Sequence, residues 1–565
     1  MISFFANATP APIRFACEGI LFSHGHVAWQ TTAFFALILV GLIACLAFEE
    51  KLHAKKSLIA GVFAIISLLF GAVTGVLTFD KVVVGSTQVV PFEKEIQVIP
   101  MEKEHSDGNS HGDAKPITVG IPSPSADTNP SENMGSETAS EKSGNGNGKT
   151  EAIKRNEAEH PLHIDGEEIA MPVYIPGIDW GVIAIIFGSS LFVDVASKSG
   201  LFSWIAIKVT KASGGEPLRL LYFYGVMTVV FSAVLNNVTA MIIVGSLTVV
   251  SLEKLDRRKL LLGFLLIEGL LTNIGGLLTL ISSVPNIIVG TTANIGFVDF
   301  FVKSAPYVVI ATIITLVLGA RVFKIHALDG EEEKEHARKL VMGFDENDSV
   351  DSPSFFWFSS VILVLFILTI AFTSVIPFLK DLGMGFVAMS FAAIMLVRFK
   401  SEVNRFYSAI DWDLLGFFMA LFATIYVMEH AQVLAAIGSG LEFVLRDVTS
   451  SSGDLIDTAT LMIGSAGFSS VTDNIPLAAM LAKILQQLGA PEGSALWWSV
   501  IFGANLGGNL TPIGSASTLV AITIMHKHGL KMSFVGFVKV SAMFAAIQIA
   551  IAVVYVIGLV LLGFI

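Results

Sequence analysis

Twice in this chain an apolar region is interrupted in the same way. SAVLNNVTAM, Ser232 to Met241, is followed by TNIGGLLTLISSVPN, Thr272 to Asn286; SSVTDNIPLAAM, Ser469 to Met480, is followed by GANLGGNLTPIGSAST, Gly503 to Thr518. Asn236 and Asn237 fall opposite Asp473 and Asn474, and Asn273, Gly275, Gly276 and Thr279 fall opposite Asn505, Gly507, Gly508 and Thr511 at identical spacing. Upstream, Ile178, Asp179 and Trp180 match Ile410, Asp411 and Trp412. Three landmarks in one order define an internal repeat. Paired interruptions of apolar segments point to a transporter binding site.

The interruptions matter because of the solvent that composition implies. The chain of 565 residues is 53% hydrophobic and 15% charged, whereas soluble domains are about 25% charged. Its apolar runs approach the length of about twenty residues that crosses a bilayer as a helix, while barrel strands alternate over about ten. The expected fold is an all-α polytopic membrane protein with roughly 11–13 membrane segments. In lipid every backbone polar group needs an internal partner, so a broken helix must line protein or a water cavity. A charge near the bilayer centre costs at least about 2.5–3.5 kcal/mol, and Pro476 removes a backbone donor close to Asp473. The two breaks are therefore read as walls of one ion site.

In chain order, an N-terminal helical hairpin (1–80) contains spans Val27 to Phe48 and Ser57 to Phe79. Its basic turn, Lys51, Lys55 and Lys56, belongs in the cytoplasm by the positive-inside rule. The first residues show no basic region followed by a cleavable apolar core, so no signal peptide is expected. Segment 81–171 is rich in Ser, Gly, Asn and Glu and is expected to be a largely disordered extracytoplasmic insert, with KVVVGSTQVVPFEKEIQVIP able to form local strands. The net charge of −12 mostly reflects it.

Transport repeat 1 (172–326) contains Leu220 to Leu252. This stretch is flanked by basic residues at both ends and is expected to be two half-length helices meeting near LNNV as a re-entrant hairpin. A charged cytoplasmic linker (327–352), a connecting hairpin (353–408) and transport repeat 2 (409–565) follow. Arg398, Lys400 and Arg405 place the second IDW on the cytoplasmic side and the first outside, so the repeats are of inverted topology. Cys17 and Cys45 offer neither a disulfide framework nor metal-ligand spacing. A multi-pass protein of a bacterial inner membrane is expected.

The motifs IDW, LNNVTAM, IEGLLTNIGG, VPNIIVG, VTDNIP and GGNLTPIGSAS, followed by KHGLKMSFVGFVKV, resemble the ion transporter superfamily. The likeness is to the citrate transporter-like branch that holds arsenite permeases, the P protein and certain sodium/proton antiporters, and it covers about Ile178 to the C-terminus. It implies an inverted-repeat secondary transporter whose site is built from hairpins and broken helices. The family commonly has aspartate where this chain has Asn236, and Gly-Asp-Pro-Pro-Asn where it has Ser282, Ser283, Val284, Pro285 and Asn286. Two carboxylates are thus missing.

Asp473 is the first candidate for the work. Burial disfavours a charged carboxylate, so such a group can exchange Na⁺ for H⁺; the competing role is a structural cap on a half-helix. Asn236, Asn237 and Asn474 offer a carbonyl toward a cation or an amide toward the backbone. Asn273, Thr279, Asn286, Asn505, Asn509, Thr511, Ser515 and Ser517 complete the candidate ion or substrate site with neutral groups, although any one of them could equally serve helix packing. Glu268 and Glu429 are candidate proton relays, and His430 beside Glu429 suits a satisfied polar residue. Asp179 and Asp411 suit helix caps.

The function expected is secondary active transport, Na⁺ or Li⁺ against H⁺. The alternative is an anion or oxyanion permease for arsenite, antimonite or a carboxylate, since half-helix N-termini suit anions. An intramembrane enzyme lacks its signature: there is no second facing Asp and no HExxH. A channel would conduct without a counter-ion. No cofactor is expected, and no metal beyond transported Na⁺. The partners are a small-ion substrate and the lipid bilayer, with no nucleic acid, and a homodimer is compatible with the pattern.

Overall fold

The computed structural model describes residues 27–52, 54–77, 81–84, 167–170, 175–373, 375–400, 403–407, 410–446, 448–449 and 455–565. Residues Lys81–Ala170 form a unit of their own, in which β1 (Lys81–Val84) pairs antiparallel with β2 (Glu167–Ala170), Lys81 opposite Ala170. The rest of the insert, with its expected disorder, lies outside the described residues, as does Cys17.

The main body is all-α. Before the insert come α1 (Trp29–Ala47), α2 (Glu49–Leu52) and α3 (Lys56–Val73). After it follow α4 (Trp180–Ser197), α5 (Leu201–Ser213), α6 (Pro217–Val234), α7 (Asn237–Lys254), α8 (Leu261–Gly275), α9 (Val284–Thr292) and α10 (Phe297–Val322). The linker holds α11 (Glu331–Met342), and a second hairpin comprises α12 (Pro353–Ala371) and α13 (Leu379–Arg398). The chain then runs through α14 (Val403–Tyr407), α15 (Trp412–His430), α16 (Val433–Val444), α17 (Leu455–Ser469), α18 (Asn474–Gln487), α19 (Ala495–Gly507), α20 (Ala516–Lys527) and α21 (Phe534–Leu561). Ten of these, among the described residues, are long and apolar enough to cross a membrane. With the two shorter apolar helices α16 and α19, the apolar helices among the described residues come to twelve, in line with the number of membrane segments expected.

Helices α4 to α10 recur in order as α15 to α21, with side-chain caps at two corresponding starts. Asp179 caps α4 by accepting from Val182 N–H, and Asp411 caps α15 by accepting from Leu414 N–H. Asn236 caps α7, and Asp473 caps α18. The repeats are inverted. Gly385 and Ala388 of α13 lie against Gly181 and Gly188 of α4, so these two helices run parallel. Asp179 at the start of α4 lines a cavity with Glu429 near the end of α15, while Phe187 farther along α4 meets Trp412 at the start of α15, so α15 runs opposite to its counterpart α4.

Contacts between the repeats come in reciprocal pairs, as a twofold relation requires. Helix α18 packs on α9 and α20 on α7; α19 packs on α9 and α20 on α8. The hairpins are crossed: α13 packs on α4 of the first repeat, while α3 packs on α15 of the second.

The arms of the first hairpin, α6 and α7, are 18 residues each, or about 27 Å at 1.5 Å per residue. They are longer than the half-length helices expected, because Pro217 starts α6 and the polar residues to Lys254 extend α7 beyond the apolar run. In the second hairpin α17 and α18 have 15 and 14 residues, about 21–23 Å. Helices α17 and α18 thus fall short of the roughly 30 Å of a bilayer core, which α6 and α7 approach.

Candidate functional site

Each hairpin is stitched to the break that follows it by the same bonds. Ser232 Oγ of α6 donates to Thr272 O at 2.6 Å, and its counterpart Ser469 Oγ of α17 donates to Ala504 O at 2.6 Å. Thr279 Oγ donates to Ala233 O, and Thr511 Oγ to Ser470 O. The two threonine bonds reach carbonyls near the ends of the hairpin arms, where helix termini leave backbone oxygens open. They require close approach, and glycine supplies it. A Cβ on Gly275 would stand 2.7 Å from Val229 O, and one on Gly507 would stand 2.3 Å from Ala466 O.

The two breaks also bind each other. Ser515, at the start of α20, donates to Asn273 Oδ1 at 2.8 Å, and Ser283, at the start of α9, donates to Asn505 Oδ1 at 2.7 Å. Asn273 Nδ2 donates to Asn509 Oδ1 at 2.8 Å, and Asn505 Nδ2 donates to Asn286 Oδ1 at 2.9 Å. Asn286 Nδ2 in turn donates to Gly276 O and Thr279 O. Ser517 lies 2.9 Å from Ser515 and accepts from Thr272 Oγ at 2.9 Å. Asn237 Nδ2 reaches Asn273 Oδ1 at 3.3 Å, joining the first hairpin tip to this cluster.

Asn273, Asn286, Asn505 and Asn509 are fully buried. Their oxygens are engaged by internal donors, so the cluster holds the two breaks in register. The polar groups at and near the two hairpin tips are more accessible: Asn236 is exposed, and Asn237, Thr279, Asp473 and Asn474 are half-buried.

Asp473 does not join the neutral cluster. Its Oδ1 accepts from Ile475 N–H, and its Oδ2 lies 2.5 Å from Lys56 Nζ in the first turn of α3. The neighbouring Ser57 bonds Asp413 in the first turn of α15. The tip of the second hairpin is thus level with the starts of α3 and α15, beyond the midpoint of those helices. The length of α18 agrees, since about 21 Å carries a helix past the middle of a bilayer core.

The proton-relay candidates make other contacts. Glu268 is buried in α8, accepting from Thr248 Oγ at 2.6 Å. Glu429 lines a cavity of about 350 Å³ with Asp179, Tyr426, Lys483 and Gln486, while His430 Nδ1 is 2.9 Å from Tyr426 O.

Sequence reasoning passed over Lys56 as part of a basic turn, and it missed Gln548. Asn509 Nδ2 donates to Gln548 Oε1, and Gln548 Nε2 donates to Thr315 Oγ, which ties the cluster to α21 and α10. A polar amide in the middle of the predominantly apolar 28-residue α21 was the available signal.

Residues 164–503 match the citrate transporter family. An uncharacterized transporter of Mycobacterium bovis is 30% identical over 385 residues, covering 67% of this chain and 86% of its own. The P protein of Homo sapiens is 24% identical over 453 residues, covering 67% of this chain and 53% of its own. Among solved structures, MtrF of Neisseria gonorrhoeae superposes with a TM-score of 0.48 at 13% identity, over 71% of this chain and 88% of that one. YdaH of Alcanivorax borkumensis gives 0.48 at 12%, over 72% and 93%. The chain therefore belongs to the citrate transporter family and is a multi-pass membrane transporter.

Proposed function

We propose that the chain is a secondary active antiporter of a bacterial inner membrane that exchanges Na⁺, or Li⁺, for H⁺ at Asp473. The supporting observation is that Asp473 is the one carboxylate in the two hairpin-tip segments, 232–241 and 469–480. It is half-buried at the tip of the second hairpin, outside the neutral, fully buried cluster. A single carboxylate holds either a proton or an alkali cation, and in both states the tip is less charged than when empty. Crossing a low-dielectric barrier loaded is then cheaper than crossing it empty. Asn236, Asn237, Asn474 and Thr279 supply neutral oxygens at and near the two tips. Transport, with no bond made or broken in the cargo, is the whole of the proposed activity.

One observation favours a second reading, the anion or oxyanion permease. Helices α9 and α20 begin at Ser283 and Ser515, inside a cluster without a carboxylate, and helix N-termini attract negative charge. Purified protein in vesicles with an imposed proton gradient separates the two. Na⁺, Li⁺, K⁺, arsenite and succinate are added in turn while internal pH is followed. Collapse of the gradient by Na⁺ or Li⁺ is expected, and Asp473→Asn should abolish it in a folded protein. Uptake of an anion with no response to any cation would establish the permease instead.

A further inference from the structure

We infer that the Lys56 ammonium is a tethered competitor for the transported cation, occupying the Asp473 carboxylate when it holds neither Na⁺ nor a proton; this rests on the exchanger reading above. Lys56 and Asp473 are 417 positions apart in sequence, yet Nζ and Oδ2 are 2.5 Å apart. The other carboxylate oxygen accepts from Ile475 N–H. Each oxygen of the proposed cation ligand therefore already has a partner, and a cation approaching Oδ2 competes with the ammonium for it.

The surroundings of Lys56 make that displacement feasible. Glu49 Oε1 lies 3.8 Å from the same Nζ, and the charge of Asp413 also acts on it. Asp413 is held close by Ser57, the next residue along α3. Three carboxylates thus face one ammonium. Their summed charge attracts a second cation, and an ammonium released from Asp473 keeps Glu49 and Asp413 as counter-charges instead of being stranded in an apolar region. The competitor and its remaining partners sit on α2, α3 and α15, whereas the carboxylate it vacates belongs to α18. Cation arrival at Asp473 therefore also unfastens the second hairpin tip from α3.

Competition predicts a definite change in affinity, because the apparent Kd of a cation is its intrinsic Kd divided by the fraction of Asp473 that is free. Calorimetric titration of the purified full chain with NaCl and with LiCl should show Lys56→Met binding about tenfold more tightly than wild type, while Lys56→Arg, which keeps a competing cation, stays near wild type. A second measurement needs no substitution at Lys56. Labelling of the wild-type protein with an amine-reactive reagent, read at Lys56 by peptide mass spectrometry, should accelerate severalfold on adding Na⁺, and Asp473→Asn should label at the fast rate without Na⁺. Wild type that binds Na⁺ while Lys56 labelling stays unchanged overturns the inference, as does unchanged affinity in a folded Lys56→Met. Wild type that binds neither Na⁺ nor Li⁺ overturns the exchanger reading, and the inference falls with it.

Discussion

Glu268 shows how much a single buried group in this protein has to be accounted for. It is fully buried in α8; Oε1 accepts from Thr248, while Oε2 has no hydrogen-bond partner among the described residues. An isolated buried charge is costly, so a group of this kind is either a proton carrier or a liability. Replacement by glutamine keeps an acceptor for Thr248 and removes the exchangeable proton. Glu268→Gln is expected to keep the thermal midpoint of wild type in detergent while lowering proton-driven exchange about tenfold or more, an effect of at least about 1.4 kcal/mol. Unchanged exchange would assign Glu268 to packing alone. Asp473 teaches a different lesson at the same level of detail. Its capping role could be read from its place before Asn474 and Pro476, but its ion pair could not. Lys56 belongs to a turn whose basic residues have an adequate explanation in membrane topology, and nothing local connects that turn to a hairpin in the other half of the chain.

The repeated breaks were legible in the sequence because their chemistry is local. Asn, Gly, Ser and Thr at fixed spacing in lipid must satisfy nearby backbone, and the paired bonds from Ser232 and Ser469, and from Thr279 and Thr511, do this in both repeats. What spacing could not supply was the partner of each amide. Asn273 and Asn505 were aligned with each other, but each is bonded by the serine of the opposite break, and a repeat alignment contains no information about contacts across the twofold. The glycines of the breaks give a direct check. Gly275→Ala and Gly507→Ala each press a methyl group onto backbone of the preceding hairpin arm, and overpacking of this sort costs about 1–3 kcal/mol. Both should lower the thermal midpoint of the purified protein. Gly440→Ala and Gly464→Ala, where a Cβ meets nothing within 4 Å, should not. Equal effects at all four positions would mean that the close approach at the breaks is not what these glycines provide.

The crossing of the hairpins was invisible in sequence, since apolar spans such as α3 and α13 contain no residue that names a partner. Its consequence is that neither half encloses its own polar groups. Asn273 and Asn286 need Ser515 and Asn505, Asn505 needs Ser283, α4 needs α13 and α15 needs α3. The linker adds a bond outside the membrane: Glu346 binds both Lys208 and Lys211 of α5, and these two cations hold its carboxyl down to about 2. A chain divided between Asp329 and Gly330, both exposed, leaves every one of these contacts to be made between two polypeptides. Expressed alone, either fragment would bury unpaired amides and hydroxyls in lipid, each at a cost of several kcal/mol, and should fail to accumulate. Expressed together, the fragments should co-purify through a tag on one of them and recover transport in vesicles. Stable accumulation of a single fragment would show that each repeat satisfies its polar groups internally, contrary to the reciprocal bonds between Asn273 and Ser515 and between Asn505 and Ser283.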